Sequence, residues 1–202
     1  MKKLNLNGKP VVITAFLLLA IGLSGCLGLV PNYHVYDEFT NTHRYTLTES
    51  ARNSEGIGDI GDADIKCSRL VTANGESVSL YFSIERGATS FGPEPKGFMK
   101  SNDKQFDIRL SDILDEERSR ERTTITKDST VTGKQRKTIS TSRQNWIVTN
   151  FVVPVTPEML AAIRSGKNMM FRFYFGPDLA TYKITRFSSL FYQILEKDPW
   201  KK

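Results

Sequence analysis

Histidine and cysteine are scarce in this chain of 202 residues, which carries two of each: His34, His43, Cys26 and Cys67. No C-x-x-C, H-E-x-x-H or G-x-S-x-G spacing occurs, so the short motifs of thiol redox, zinc hydrolysis and serine hydrolysis are absent. A nucleophile–histidine site would have to borrow His34 or His43. Their odd spacing puts them on opposite faces if one strand runs through both. Gly133-Lys134 would end a phosphate-binding loop, but the glycine required five residues upstream is Asp128, and Gln135 replaces the hydroxyl residue that would hold magnesium. Asp59, Asp62 and Asp64 offer hard oxygen ligands without the calcium-loop spacing or its closing bidentate glutamate. Glu116-Glu117 sits among arginines, a wet and charged setting that does not raise a carboxyl pKa for general-acid work. These absences predict a protein with no enzymatic activity, no cofactor and no metal.

Long apolar runs are equally sparse. The one clear case, Val11 to Leu23, follows Lys2, Lys3 and Lys9 and is too short to span a bilayer core of about 30 Å. Basic start and short apolar run have the layout of an export signal, with Pro10 before the run and Gly22 near its end. The run closes on Leu23-Ser24-Gly25-Cys26. Small residues before the cysteine let a peptidase approach the backbone, and the thiol is a nucleophile to which a diacylglycerol group can be attached. This tetrapeptide resembles the lipobox of bacterial lipoproteins, a likeness confined to the signal region. The resemblance implies that Leu23, Ser24 and Gly25 are read by the signal peptidase and that Cys26 becomes the lipidated first residue of the mature chain. It also implies, through Leu27 in place of an inner-membrane-retaining aspartate, an outer-membrane location facing the periplasm. The alternative is an ordinary secretory signal or N-terminal anchor with a chance cysteine.

The expected organisation is a removed signal peptide at 1–25, a lipidated cysteine with a short tether at 26–32, and a single β-rich domain at 33–202. The tether, with Gly28 and Pro31, reaches only about 20 Å. Charge of one sign is also in short supply: 28 Lys+Arg face 22 Asp+Glu, and removing the three signal lysines leaves 25 against 22, a net +3. A balance so slight, in an envelope protein, argues against a nucleic-acid partner. Lipidation of Cys26 would leave Cys67 without a disulfide mate. Alternation places Cys67 on one face with Ile65 and Val71, the position of a small buried hydrophobe rather than a nucleophile.

Along the domain, Tyr33–Phe39 and His43–Thr48 read as first strands, and Ser50–Asp64 as a solvated connection. Asn74-Gly75 marks a hairpin, and Val78, Leu80, Phe82 and Ile84 alternate with polar partners in the clearest strand of the chain. An irregular loop over Gly87–Gly97 and a strand through Phe106, Ile108 and Leu110 precede a mixed-charge patch at 115–122. The polar, Ser/Thr-rich segment Arg122–Arg143 reads as a long exposed hairpin. Its Lys134, Arg136, Lys137 and Arg143 are candidates to meet anionic headgroups or an acidic partner, against the plainer reading of a solvated hairpin.

Asn145–Val153 is apolar on both faces, as expected of a strand covered twice. Thr156-Pro157 supplies an N-cap and N1 proline for a short helix near 157–165 that stops at Ser165-Gly166. An aromatic strand with Phe171, Phe173 and Phe175, a turn at Gly176-Pro177, and a strand at 179–184 follow. Phe187, Leu190, Phe191, Ile194 and Leu195 then give a C-terminal amphipathic helix near 186–197 whose stripe packs on the sheet. The expected fold is mainly β (α+β), an antiparallel β-sandwich-like domain. The expected role is non-catalytic binding or assembly, contacting an envelope protein through loops or the 122–143 hairpin. The competing reading is a periplasmic hydrolase or small-ligand binder with a pocket near His34 and His43.

Overall fold

Period-two sequences punctuated by turns dictate strands, and ten of them dominate the described residues. The computed structural model describes residues 33–56, 58–129, 135–186 and 189–197, with backbone alone at Tyr33, 126–129 and 135–138. All of these fall in one compact unit, Asn32–Lys202. The expected signal peptide, Leu23, Ser24, Gly25, Cys26, the 27–32 tether and Lys134 lie outside the described residues.

In chain order the strands are β1 (Tyr33–Asp37), β2 (Thr42–Ala51), β3 (Ile60–Thr72), β4 (Gly75–Gly87), β5 (Lys96–Ser101), β6 (Lys104–Arg109), β7 (Ser111–Ser129) and β8 (Gln135–Val155). Helix α1 (Pro157–Ser165), β9 (Asn168–Phe175), β10 (Asp178–Thr185) and helix α2 (Phe191–Glu196) complete the chain. The strands form two antiparallel sheets, six-stranded in the order β1-β2-β3-β4-β8-β7 and four-stranded in the order β10-β9-β5-β6. This is the expected β-sandwich-like architecture. Among the described residues no helix is long and apolar enough to cross a membrane.

One face of each sheet supplies the core. Leu80, Phe82 and Ile84 of β4, Phe151 and Val153 of β8, and Phe171, Phe173 and Phe175 of β9 are all buried. Phe82 is the centre of an aromatic cluster: its ring lies parallel to Phe151 at 5.3 Å and meets Phe171 and Phe173 edge-on at 5.2 and 4.9 Å. Offset and edge-to-face contacts of this kind add to area burial because the ring quadrupoles attract. Cys67 is fully buried in β3, between Leu47 and Leu80 in register, and burial pushes its thiol up to about 12.

Several expectations are corrected. The connection after β2 is shorter than Ser50–Asp64, because Ile60–Asp64 already belongs to β3. The strand β5 lies inside a region whose sequence shows little alternation; it pairs with β6 and β9 around buried Met99. The mixed-charge patch, to which the sequence assigns no element, is the middle of β7. In β8 neither face is covered throughout: Val148, Thr149, Phe151 and Val153 are buried, whereas Trp146, Ile147, Asn150 and Val152 are half-buried.

The helices form where capping permits. Thr156 Oγ1 accepts from the Met159 amide at 3.2 Å, and Pro157 occupies the first turn. The C-terminal helix spans Phe191–Glu196 rather than 186–197, and Leu190, expected on its buried stripe, stands at its N-cap position, 36% exposed. Glu49 of β2 holds this start, accepting from Ser189 Oγ at 2.6 Å and from the Leu190 amide at 2.5 Å. At the other end Arg69 donates to the carbonyls of Ile194 and Lys197, and Arg164 to that of Leu195. Both arginines share Glu76, Arg69 Nε at 2.7 Å and Arg164 Nη1 at 2.6 Å. A six-residue helix is too short to persist alone. Long-range side chains tie both of its termini.

Candidate functional site

The β7–β8 pair outruns its sheet. β8 is bonded to β4 from Val155 to Trp146, while its remaining residues, 135–145, pair with β7 alone. At about 3.4 Å per residue this two-stranded ribbon projects roughly 35 Å beyond β4. Threonine and isoleucine, β-branched, favour extended backbone there. Residues 118–143 hold eight Lys or Arg against two acids, a net +6. The rest of the chain after the expected signal is then acidic, 17 basic against 20 acidic residues.

The base of the ribbon is fastened by a closed hydrogen-bond ring. Buried Arg86 donates through Nε to Thr149 Oγ1 at 2.8 Å and through Nη2 to Asp115 Oδ2 at 2.6 Å. Thr149 in turn donates to Asp115 Oδ1 at 2.6 Å. Three strands, β4, β7 and β8, are thus locked together where the ribbon leaves the sheet. Beside this ring a cleft of about 360 Å³ lies between Asp59 and Glu85 on one side and Arg120, Gln144 and Trp146 on the other.

Register divides the ribbon into two chemically different faces. On one, Glu121 stands opposite Arg143, Thr123 opposite Thr141, Ile125 opposite Ile139 and Lys127 opposite Lys137, so acid stands against base at its inner step and lysine against lysine at its outer one. Ile125 and Ile139 are 53% and 59% exposed. On the other, Arg118, Arg120 and Arg122 succeed one another at alternate positions, opposite Trp146, Gln144 and Ser142. Arg118 meets Glu116 at 2.9 Å. Among the described residues no carboxylate lies within ion-pair distance of Arg120 or Arg122. Trp146 leaves its indole N–H buried without a hydrogen-bond partner there.

Of the residues singled out from sequence, Arg143 lies opposite Glu121 on the face away from the arginine ladder, its Nη2 donating to Ser119 Oγ at 3.3 Å. Arg136 and Lys137 stand in β8 opposite Asp128 and Lys127, and their side chains lie outside the description, as does all of Lys134. The arginine ladder was hidden within what reads as a mixed-charge patch. Its signal is the repeat R-x-R-x-R over 118–122, which only a strand turns into one face.

The histidines are not on opposite faces. The chain turns back at residues 38–41, with Asn41 at φ 48°, so His34 and His43 sit on paired antiparallel strands, opposite Tyr45 and Tyr36. His34 Nε2 lies 3.0 Å from His43 Nδ1, and the rings are 7° from parallel with centroids 5.3 Å apart. Coplanar rings joined edge to edge share one N–H between two nitrogens. The two nitrogens face each other across that hydrogen bond, whereas a metal bound by both would need their lone pairs to converge on a third point. His34 stacks on Tyr45 at 4.4 Å and His43 on Tyr36 at 4.6 Å. Desolvation, then the charges of His43 and Lys197, hold His34 below its ordinary 6.5.

Asp62 and Asp64, at the start of β3, serve local structure. Asp62 Oδ1 accepts from the Asn53 amide at 3.0 Å, and Asp64 Oδ1 from Ser50 Oγ at 2.5 Å. Among the described residues no three of His, Cys, Asp and Glu are grouped to hold a metal. Compared with protein-family models, with curated proteins and with solved structures, the chain matches none. Fold and surface together define an antiparallel two-sheet protein that carries a cationic β-ribbon.

Proposed function

We propose that this protein is a lipid-anchored envelope lipoprotein, held through Cys26 at the outer membrane and facing the periplasm. Its role is non-catalytic binding or assembly, with the projecting hairpin around 122–143 as the surface that meets a protein partner. The observation that carries the reading is the uncompensated cationic face of a ribbon fastened to the core by Arg86, Asp115 and Thr149. A segment that contributes nothing to the core, yet is held rigidly at its base, presents contact groups with little entropy left to lose on binding.

Two experiments test the two halves. Replacing Cys26 with Ser is expected to move the protein from the membrane pellet to the soluble envelope fraction; a variant that still sediments as firmly as the parent refutes the anchor. Replacing residues 120–144 with Asn-Gly closes a two-residue hairpin between the register partners Ser119 and Asn145. This variant is expected to keep the parent's near-ultraviolet dichroism and to lose the envelope protein that crosslinks reproducibly to the parent. Unchanged crosslinking refutes the ribbon as the contact surface.

A further inference from the structure

β7 ends the order of its sheet, so one edge of it is bonded to β8 and the other faces no strand among the described residues. From Leu114 to Ser129 its register is unbroken, and the single irregularity lies before that, between Ser111 and Leu114. A straight open edge displays alternate N–H and C=O groups to any extended chain, and proteins ordinarily blunt such edges with proline, bulges or charge. Residues 114–129 contain no proline. Their defence is charge alone, and that charge is patterned.

Leu114, Glu116, Arg118, Arg120 and Arg122 share one face of β7 by alternation. Leu114 is 58% exposed, Glu116 is matched internally by Arg118, and Arg120 and Arg122 carry unmatched charge. Successive residues on one face of a strand stand about 6.8 Å apart, and a strand added beside β7 would place its own side chains at the same interval, about 5 Å away across the pair. Guanidinium groups donate to carboxylates in bidentate geometry at that range.

Resting on the reading above, we infer that the open edge of β7 receives an extended acidic segment of the partner protein as an added strand. Carboxylates at alternate positions of that segment face Arg120 and Arg122, and an apolar side chain further along covers Leu114. Main-chain hydrogen bonds hold the added strand, and the alternating side chains select it. A second copy of this chain fits the edge poorly. Antiparallel pairing centred on Arg120 sets Arg118 against Arg122 and Arg120 against its own copy, and like charges directly opposite repel. A nucleic-acid backbone running along the same face would meet Glu116 at the ladder's inner end.

The test uses the full-length protein in neutral detergent micelles and a fluorescent synthetic peptide of alternating Glu and Thr ending in Leu. Two further peptides carry N-methyl groups on every second amide, one on each set of alternate residues. Saturable binding by the plain peptide is expected, with one N-methylated form losing it and the other keeping it. Arg120→Ser with Arg122→Ser is expected to weaken the plain peptide about tenfold, from two cross-strand charge pairs. Equal binding of both N-methylated peptides overturns the proposal in favour of charge attraction alone. Tighter, equally arginine-dependent binding to phosphatidylglycerol vesicles or to a DNA duplex overturns it too, as does self-association in sedimentation that the double variant alters. If no peptide binds while the ribbon-shortened protein still loses its crosslinked partner, strand addition is refuted and the interaction role stands. If that crosslink is also unchanged, both fall.

Discussion

Glu76 is one carboxylate held by two arginines, and its removal can be worked through. Its oxygens accept from Arg69 Nε at 2.7 Å and from Arg164 Nη1 and Nη2 at 2.6 and 2.8 Å, with the carboxylate side chain 23% exposed. In Glu76→Gln the shape survives but one acceptor becomes a donor facing a guanidinium. A hydrogen bond to a charged group contributes about 1.5–3 kcal/mol, and partial exposure keeps the combined loss toward 2–3 kcal/mol rather than the sum. For a domain of this size that is a fall of roughly 5–10 °C in Tm. Burial raises the Glu76 pKa, but the hydrogen bonds from Arg164 and Arg69 outweigh it and hold the carboxyl below its ordinary 4.5. A group depressed in the folded state stabilises fully above its unfolded pKa, and the contribution drains away as pH falls through the folded value. Urea unfolding of parent and variant at pH 7, and at steps below 4.5, should therefore show a gap that is widest near neutrality and closes in acid. Amide exchange at Ile194–Lys197 should quicken in the variant, since both arginines also hold those carbonyls. A pH-independent gap, or one below about 0.5 kcal/mol, refutes the argument.

Two further outcomes follow from the core. Phe82→Ala empties the centre of the aromatic cluster and is expected to cost about 3–5 kcal/mol in chemical denaturation, with Phe151→Ala similar and the double variant less than additive; a loss under 1 kcal/mol would mean the cluster closes up. Cys67, fully buried with its thiol pushed up to about 12, should resist iodoacetamide for hours at pH 8 and react promptly in denaturant, so quick labelling of the native protein contradicts its placement.

Alternation was the most legible signal because burial on one face writes it into the sequence: Val78, Leu80, Phe82 and Ile84 declare β4, and Phe171, Phe173 and Phe175 declare β9. Thr156-Pro157 declared a helix start because its partners are local. Strand β7 failed the same test since neither face is buried over residues 111–125, so no apolar period marks it. The end of β8 misled differently, its apolar residues promising two covered faces where Ile147 on one and Trp146 and Val152 on the other are only half-buried. The start of α2 depends on Glu49, 141 residues from Leu190, which no local pattern reports. His34 and His43 were separated by a parity argument that holds within one strand and reverses when a turn intervenes. The hairpin itself was readable; which of its arginines stand unmatched was not, because that depends on register.

The strands that form the ribbon are also core strands. β8 carries Phe151 and Val153 into the sandwich and then runs without a break into the exposed pairing, with no hinge loop between. A force applied at Ile125 and Ile139 therefore travels along continuous backbone to the Arg86–Asp115–Thr149 ring, as a load on a lever travels to its fulcrum. Pulled lengthwise, the ladder bonds share the load in shear; pried sideways, they open one after another from the tip. The ribbon is stiff in one direction and peels in the other, and a partner seated along its edge would bind it in the orientation in which it yields least.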